Sequence, residues 1–113
     1  MTKPDALVRL RQISKLILDV KLAALHTAAQ KRQQSLDLLA NLNKQGLDTD
    51  LNPVVAYQTE LRYQFWAEAR RAEINVVLAR QTAQMLVARD EAGQAFGKDQ
   101  ALRGLHAKLR QLS

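Results

Sequence analysis

The sequence predicts an all-α protein, two long helices folded back on each other as an antiparallel coiled-coil hairpin. Three observations lead there. Glycine and proline are scarce, 4 and 2 in 113 residues, too few to punctuate the many turns of a β-rich fold. Helical periodicity runs on both sides of one turn-forming stretch, Gly46-Leu-Asp-Thr-Asp-Leu-Asn-Pro53. Apolar residues make up 47% of the chain, above the level of disordered chains, but aromatics only 4%. The core must therefore be Leu, Ile, Val and Ala.

The elements follow in order, within one domain spanning 1–113. Pro4 and Asp5 open the first helix, because proline suits a first turn and a carboxylate suits the positive helix end. Periodicity then continues to about residue 45, and Gly46 serves as a C-cap. After the turn at about 46–53, Asn52 caps and Pro53 starts a second helix that runs over about 54–112. That helix is the longer one, with a bend allowed near Gly93-Gly97. Pairing from the turn outward sets Leu42 near Ala56, Ile17 near Gln81 and Leu7 near Glu91. Residues beyond about Ala92 then overhang as an unpaired C-terminal arm.

Helical spacing assigns the faces. On the first helix, Leu10, Ile13, Ile17, Val20, Ala24, Ala28, Leu38 and Leu42 form the expected seam. A second stripe, Leu7, Leu18, Leu22, Leu25, Ala29 and Leu36, adjoins it. The seam is interrupted at Lys31, Gln34 and Ser35; polar residues there can fix register at a cost in stability. The second helix carries two opposite apolar faces. Leu61, Phe65, Ala69, Ala72, Val76, Ala79, Ala83 and Leu86 are expected to meet the first helix. Ala67, Ile74, Leu78, Met85, Ala92 and Phe96 are then expected to be exposed in the monomer and buried on a partner. Such a face serves either self-association into a four-helix bundle or docking to a different protein.

Charge and motifs narrow the function classes. The net charge is +6. Residues 1–47 carry eight Lys/Arg against three Asp, leaving +1 for the remainder, which points to an acidic partner. The chain has no Cys, which excludes disulfides and thiolate chemistry and fits a reducing cytoplasm. The polar start Met-Thr-Lys-Pro-Asp has no secretory pattern, and Leu16 to Ala29 is interrupted by Asp19, Lys21 and His26, which bars a membrane span. His26 and His106 read as surface histidines, far apart and without ligand-spaced carboxylates, so no metal and no cofactor is expected. The carboxylates read as solvated, so no catalytic residue is assigned and the chain is not expected to be an enzyme. Gly93-Gln-Ala-Phe-Gly97-Lys98-Asp99 is one residue short of a phosphate loop, with Asp99 where Ser or Thr should stand; it reads as a small-residue face for close helix approach, or a bend.

The candidate sites are therefore interaction surfaces. Tyr57, Tyr63, Phe65 and Trp66 cluster after the turn; Phe65 belongs to the expected seam, while Tyr63 and Trp66 point away and, with Arg70, make an adhesive spot. Arginines alternate with glutamates there, which argues against nucleic acid. Leu102, Leu105, Leu109 and Leu112 recur at heptad-type spacing beside Arg103, Lys108 and Arg110. This basic amphipathic arm can lie on a membrane, fold back onto the first helix or insert into a protein ring. The interaction set is Ile74, Leu78, Met85, Phe96, Leu102, Leu105, Leu109, Tyr63, Trp66 and Arg70.

A first helix of the form Leu7-Val-Arg-Leu-Arg-Gln-Ile-Ser-Lys-Leu, a short loop and a longer returning helix resemble FliJ-type stalk proteins of flagellar and type III secretion export. The segment Ala88-Arg-Asp-Glu-Ala-Gly-Gln-Ala-Phe-Gly-Lys-Asp-Gln-Ala-Leu adds to the likeness, which covers nearly the whole chain as a pattern. The resemblance implies a small antiparallel coiled coil, cytoplasmic or peripheral at the inner membrane. It would sit in the centre of a hexameric export ATPase, with the end carrying both termini in the ring. It would also touch the export gate and export chaperones, and no residue would be catalytic.

Overall fold

The computed structural model describes residues 2–44 and 52–112. The architecture is an all-α hairpin: α1, Lys3–Lys44, and α2, Pro53–Leu112, pack against each other with no strand among the described residues. Thr2 caps α1. Its hydroxyl accepts from the Asp5 amide at 3.4 Å and donates to the Asp5 carboxylate at 2.7 Å, while its carbonyl takes the Ala6 amide. This reciprocal cap is a Thr-x-x-Asp pattern, and it satisfies amides that the first helical turn leaves without partners. Asn52 caps α2 as expected: its side-chain oxygen accepts from the Val54 amide at 3.0 Å, and Pro53 is the first helical residue. The expected C-cap Gly46 and the turn up to Leu51 lie outside the described residues.

The fold divides into two compact units. One joins the chain up to Ala29 with the chain from Gln84; the other holds Gln30–Ala83. In the first unit, Lys21 Nζ meets Glu91 Oε2 at 3.0 Å, Ser14 Oγ donates to Asp99 Oδ1 at 3.5 Å, and Arg11 bonds His106. In the second, Ser35 bonds Gln81, Arg32 Nε donates to Thr82 Oγ1 at 3.0 Å, and Arg71 donates to Asn43 Oδ1 at 3.0 Å. Descending partner numbers make the helices antiparallel in both units.

These contacts correct the expected register. Glu91 faces Lys21 rather than Leu7, and Gln81 faces Ser35 rather than Ile17. The offset is roughly four helical turns. The stretch between Lys44 and Pro53 can reach that far at roughly 3.3–3.6 Å per extended residue, so it does not force the tightest pairing. The seam contacts decide the register instead. Residues after Ala92 therefore form no overhanging arm: Ala95 and Asp99 are buried, Leu102 and His106 half-buried, in the first unit. At the other end of α2, Val54, Tyr57, Phe65 and Trp66 are exposed. Helix α2 runs unbroken through Gly93, Gly97 and Gly104, and none of them has a positive φ. A Cβ added at any of the three would meet nothing within 4 Å. The close helix approach expected there is not made within the chain.

Candidate protein-docking surfaces

The seam comes first, because it decides which faces remain. On α1 the buried or half-buried positions are Leu7, Arg11, Ser14, Leu18, Lys21, Leu25, Ala28, Arg32, Ser35, Leu39 and Leu42, with Ala29 and Leu36 beside them. That alternation of four and three is a coiled-coil heptad with polar side chains at almost half its positions. The stripe Leu10, Ile13, Ile17 and Val20, expected to be the seam, is exposed. The adjoining stripe of Leu7, Leu18 and Leu25 takes its place.

Helix α2 is rotated from expectation by half a turn. Ala67 and Ile74 are 1% and 5% exposed and Ala92 is buried, with Leu78 and Met85 half-buried beside them. These residues fill the hairpin core rather than waiting for a partner. Val76, expected to face α1, is 63% exposed, and Phe65, also assigned to the seam, is 73% exposed. Two residues of helix separate Ile74 from Val76, which is about 200° of rotation, so one face can be inside only if the other is outside.

Other expected positions divide similarly. Phe96, Leu105, Leu109 and Trp66 are exposed, as a docking role requires. Leu102 is half-buried. Arg70 is exposed and pairs with Glu73 at 3.2 Å. Tyr63 does not point away from α1: its hydroxyl donates to the Leu42 carbonyl at 3.0 Å. Its ring lies 5.8 Å from that of Trp66, tilted by 39°.

Three surfaces result. The outward face of α2 in the second unit carries Phe65, Ala69, Ala72, Val76, Ala79 and Ala83, all exposed. It is apolar over about five turns and lies opposite the seam. In the first unit, a groove of about 720 Å³ on one side of the helix pair is lined by Leu10, Ile13, Ile17, Ala95, Ala101 and Leu102, with Lys21, Glu91 and Lys98 at its edges. On the other side of the same unit, a smaller cleft of about 200 Å³ is bounded by Val8, Arg11, Gln12, Lys15, Asp99, Arg103 and His106.

The polar side chains around that small cleft were the least visible in the sequence. Asp99, expected on a solvent face, is 2% exposed; Arg103 Nε holds its other carboxylate oxygen at 3.1 Å. His106, expected on the surface, is half-buried and accepts at Nδ1 from Arg11 Nη1. His26 is exposed, as expected. The signal that could have found Arg11, Ser14, Asp99 and His106 is position alone: they fall on the heptad when polarity is ignored. Among the described residues no cluster of His, Asp or Glu could hold a metal ion, and no helix is long and apolar enough to cross a membrane.

Comparison with protein-family models, with curated proteins and with solved structures finds no match.

Proposed function

We propose that this protein is a non-catalytic docking hairpin, and that it serves as the stalk and escort component of a protein-export ATPase complex at the cytoplasmic side of the inner membrane. The observation that carries the docking reading is the outward face of α2, where Phe65 and Val76 are left in water opposite a seam already filled by Ala67 and Ile74. Burying a large apolar side chain on a partner is worth roughly 1.5–3 kcal/mol before ordering costs, so a face of this length favours protein contact. The stalk reading adds the resemblance to FliJ-type proteins. It is supported by the meeting of α1's start and α2's end in one unit, the shape a ring-inserting tip requires.

The test is direct. Added to a purified hexameric export ATPase, the protein should bind the ring and raise its turnover. Phe65→Asp with Val76→Asp should abolish binding while the circular dichroism stays helical. No binding by the unaltered protein to the ATPase, gate or chaperones would end the stalk reading.

A homodimeric four-helix bundle is the second reading, favoured by the apolar groove along Leu10, Ile13 and Ile17. Sedimentation decides it: a stable dimer lost in Ile13→Asp supports the bundle, and a monomer at all concentrations removes it.

A further inference from the structure

We propose that the small cleft of the first unit is a carboxylate-binding site, built to take an acidic amphipathic segment of a protein partner. Three cationic side chains, Arg11, Lys15 and Arg103, border the cleft against one carboxylate, Asp99. That carboxylate is already committed: Arg103 binds one oxygen at 3.1 Å and Ser14 the other at 3.5 Å, with the side chain 3% exposed. Among the described residues Arg11 makes no ion pair. It sits half-buried in the seam, with its guanidinium against the imidazole of His106. A half-buried guanidinium outside any ion pair is poorly compensated, since burying a charge is costly unless it is paired. An incoming carboxylate supplies the missing countercharge, and arginine's donor fork matches carboxylate geometry. Lys15, exposed one turn further along α1, stands ready for a second one.

The surroundings identify the class of partner. Heptad spacing sets Val8, Lys15 and Leu22 along one flank of α1, and Phe96 and Arg103 along the facing flank of α2. Val8, Leu22 and Phe96 are all exposed. Cations therefore alternate with apolar side chains at one-heptad steps. A helix carrying carboxylates and large apolar residues on one face has the complementary pattern. A nucleic acid would want an unbroken track of cations and stacking surfaces, whereas here Leu22 and Phe96 interrupt the charge. The inference goes beyond the docking reading above: it uses a different surface and can hold or fail without an ATPase.

The experiment uses the full chain and three probes: a fluorescent helical peptide of about three heptads with Glu and Leu on one face, inorganic phosphate, and single-stranded DNA of similar length. The peptide should bind, and sodium chloride should weaken the binding. Lys15→Glu together with Arg11→Gln should weaken it by about tenfold or more, as loss of paired charges does. Lys15→Glu alone lies on an exposed side chain with no ion partner among the described residues, so it should lower affinity with the thermal midpoint unchanged even if Arg11→Gln disturbs the seam. Three results would overturn the proposal: no peptide binding, peptide binding indifferent to Lys15→Glu, or DNA binding as tightly as the peptide. Displacement of the peptide by millimolar phosphate at constant ionic strength would also overturn it, by reducing the cleft to a general anion site.

Discussion

The hydroxyl of Ser35 on α1 donates to the side-chain oxygen of Gln81 on α2, in the middle of the second unit's seam. Ser35 is buried, and one turn away Arg32 donates to Thr82, whose hydroxyl also bonds the Leu78 carbonyl at 2.8 Å. Polar pairs of this kind contribute little net energy when made and cost more when one partner is lost. Their main effect is to make one alignment of the helices better than its neighbours.

Gln81→Ala should therefore destabilise the hairpin by about 1–2 kcal/mol in urea unfolding, through the unsatisfied Ser35 hydroxyl. Replacing both, as Ser35→Val with Gln81→Leu, should recover or exceed the original stability while relaxing the pairing. A single set of inter-helix cross-links in that double variant would show that register is set elsewhere.

The register itself can be read with introduced thiols. Leu18→Cys with Ala95→Cys, both buried in the seam of the first unit, should join through a short bifunctional reagent. Ile17→Cys with Gln81→Cys should not. The opposite pattern would restore the pairing expected from a tight turn.

Ile74 and Val76 separate the two faces of α2. Ile74→Ala should cost about 2–4 kcal/mol, because it empties a buried site. Val76→Asp should change stability by less than about 0.5 kcal/mol, as exposed substitutions do, and act on binding alone. Equal destabilisation by both would mean that both faces are covered in the free protein.

Asp99→Ala should destabilise the first unit by about 1–3 kcal/mol. It removes the partner of Arg103 and the acceptor of Ser14 together. The figure stays at the lower end of buried pairs because Arg103 is half in solvent. Hydrogen exchange at residues 10–18 should report the loss; unchanged protection there would remove Asp99 from the seam.

Gly93→Ala, Gly97→Ala and Gly104→Ala should each stabilise the isolated protein by about 0.5–1 kcal/mol, since alanine is the better helix former. The added methyl meets open space at each position. A variant more stable alone but weaker in complex would show that a partner backbone approaches there.

The sequence carried the two helices and the start of the second, because caps and periodicity are local. Asn52 and Pro53 begin α2 as their chemistry requires. It did not carry the rotation of α2. Val76 and Ile74 belong to two faces of similar apolarity, and periodicity alone cannot say which is inside. Nor did it carry the polar seam: Arg11, Ser14, Lys21, Arg32 and Ser35 look like solvent residues until a partner helix is placed against them. The register was hidden for a related reason, since it rests on those same side chains. The exposure of Phe96, Leu105 and Leu109 matched expectation because amphipathic excess is visible locally. The small cleft did not, because its walls are 85 and 95 residues apart in the chain at Ser14–Asp99 and Arg11–His106.

Among the described residues the buried apolar set is Leu7, Leu18, Leu42, Ala67, Ile74, Ala92 and Ala95, and three of its members are alanines. Such an interior leaves the free hairpin a thin margin over unfolding. Whatever binds the folded form adds to that margin by mass action, about 2.7 kcal/mol when its free concentration is a hundred times the dissociation constant. On the docking reading, the chain's lifetime in a cell would be tied to the supply of the partner proposed for it. Copies made in excess would then open more often and fall to proteases, so degradation would keep the two in proportion without any dedicated regulator.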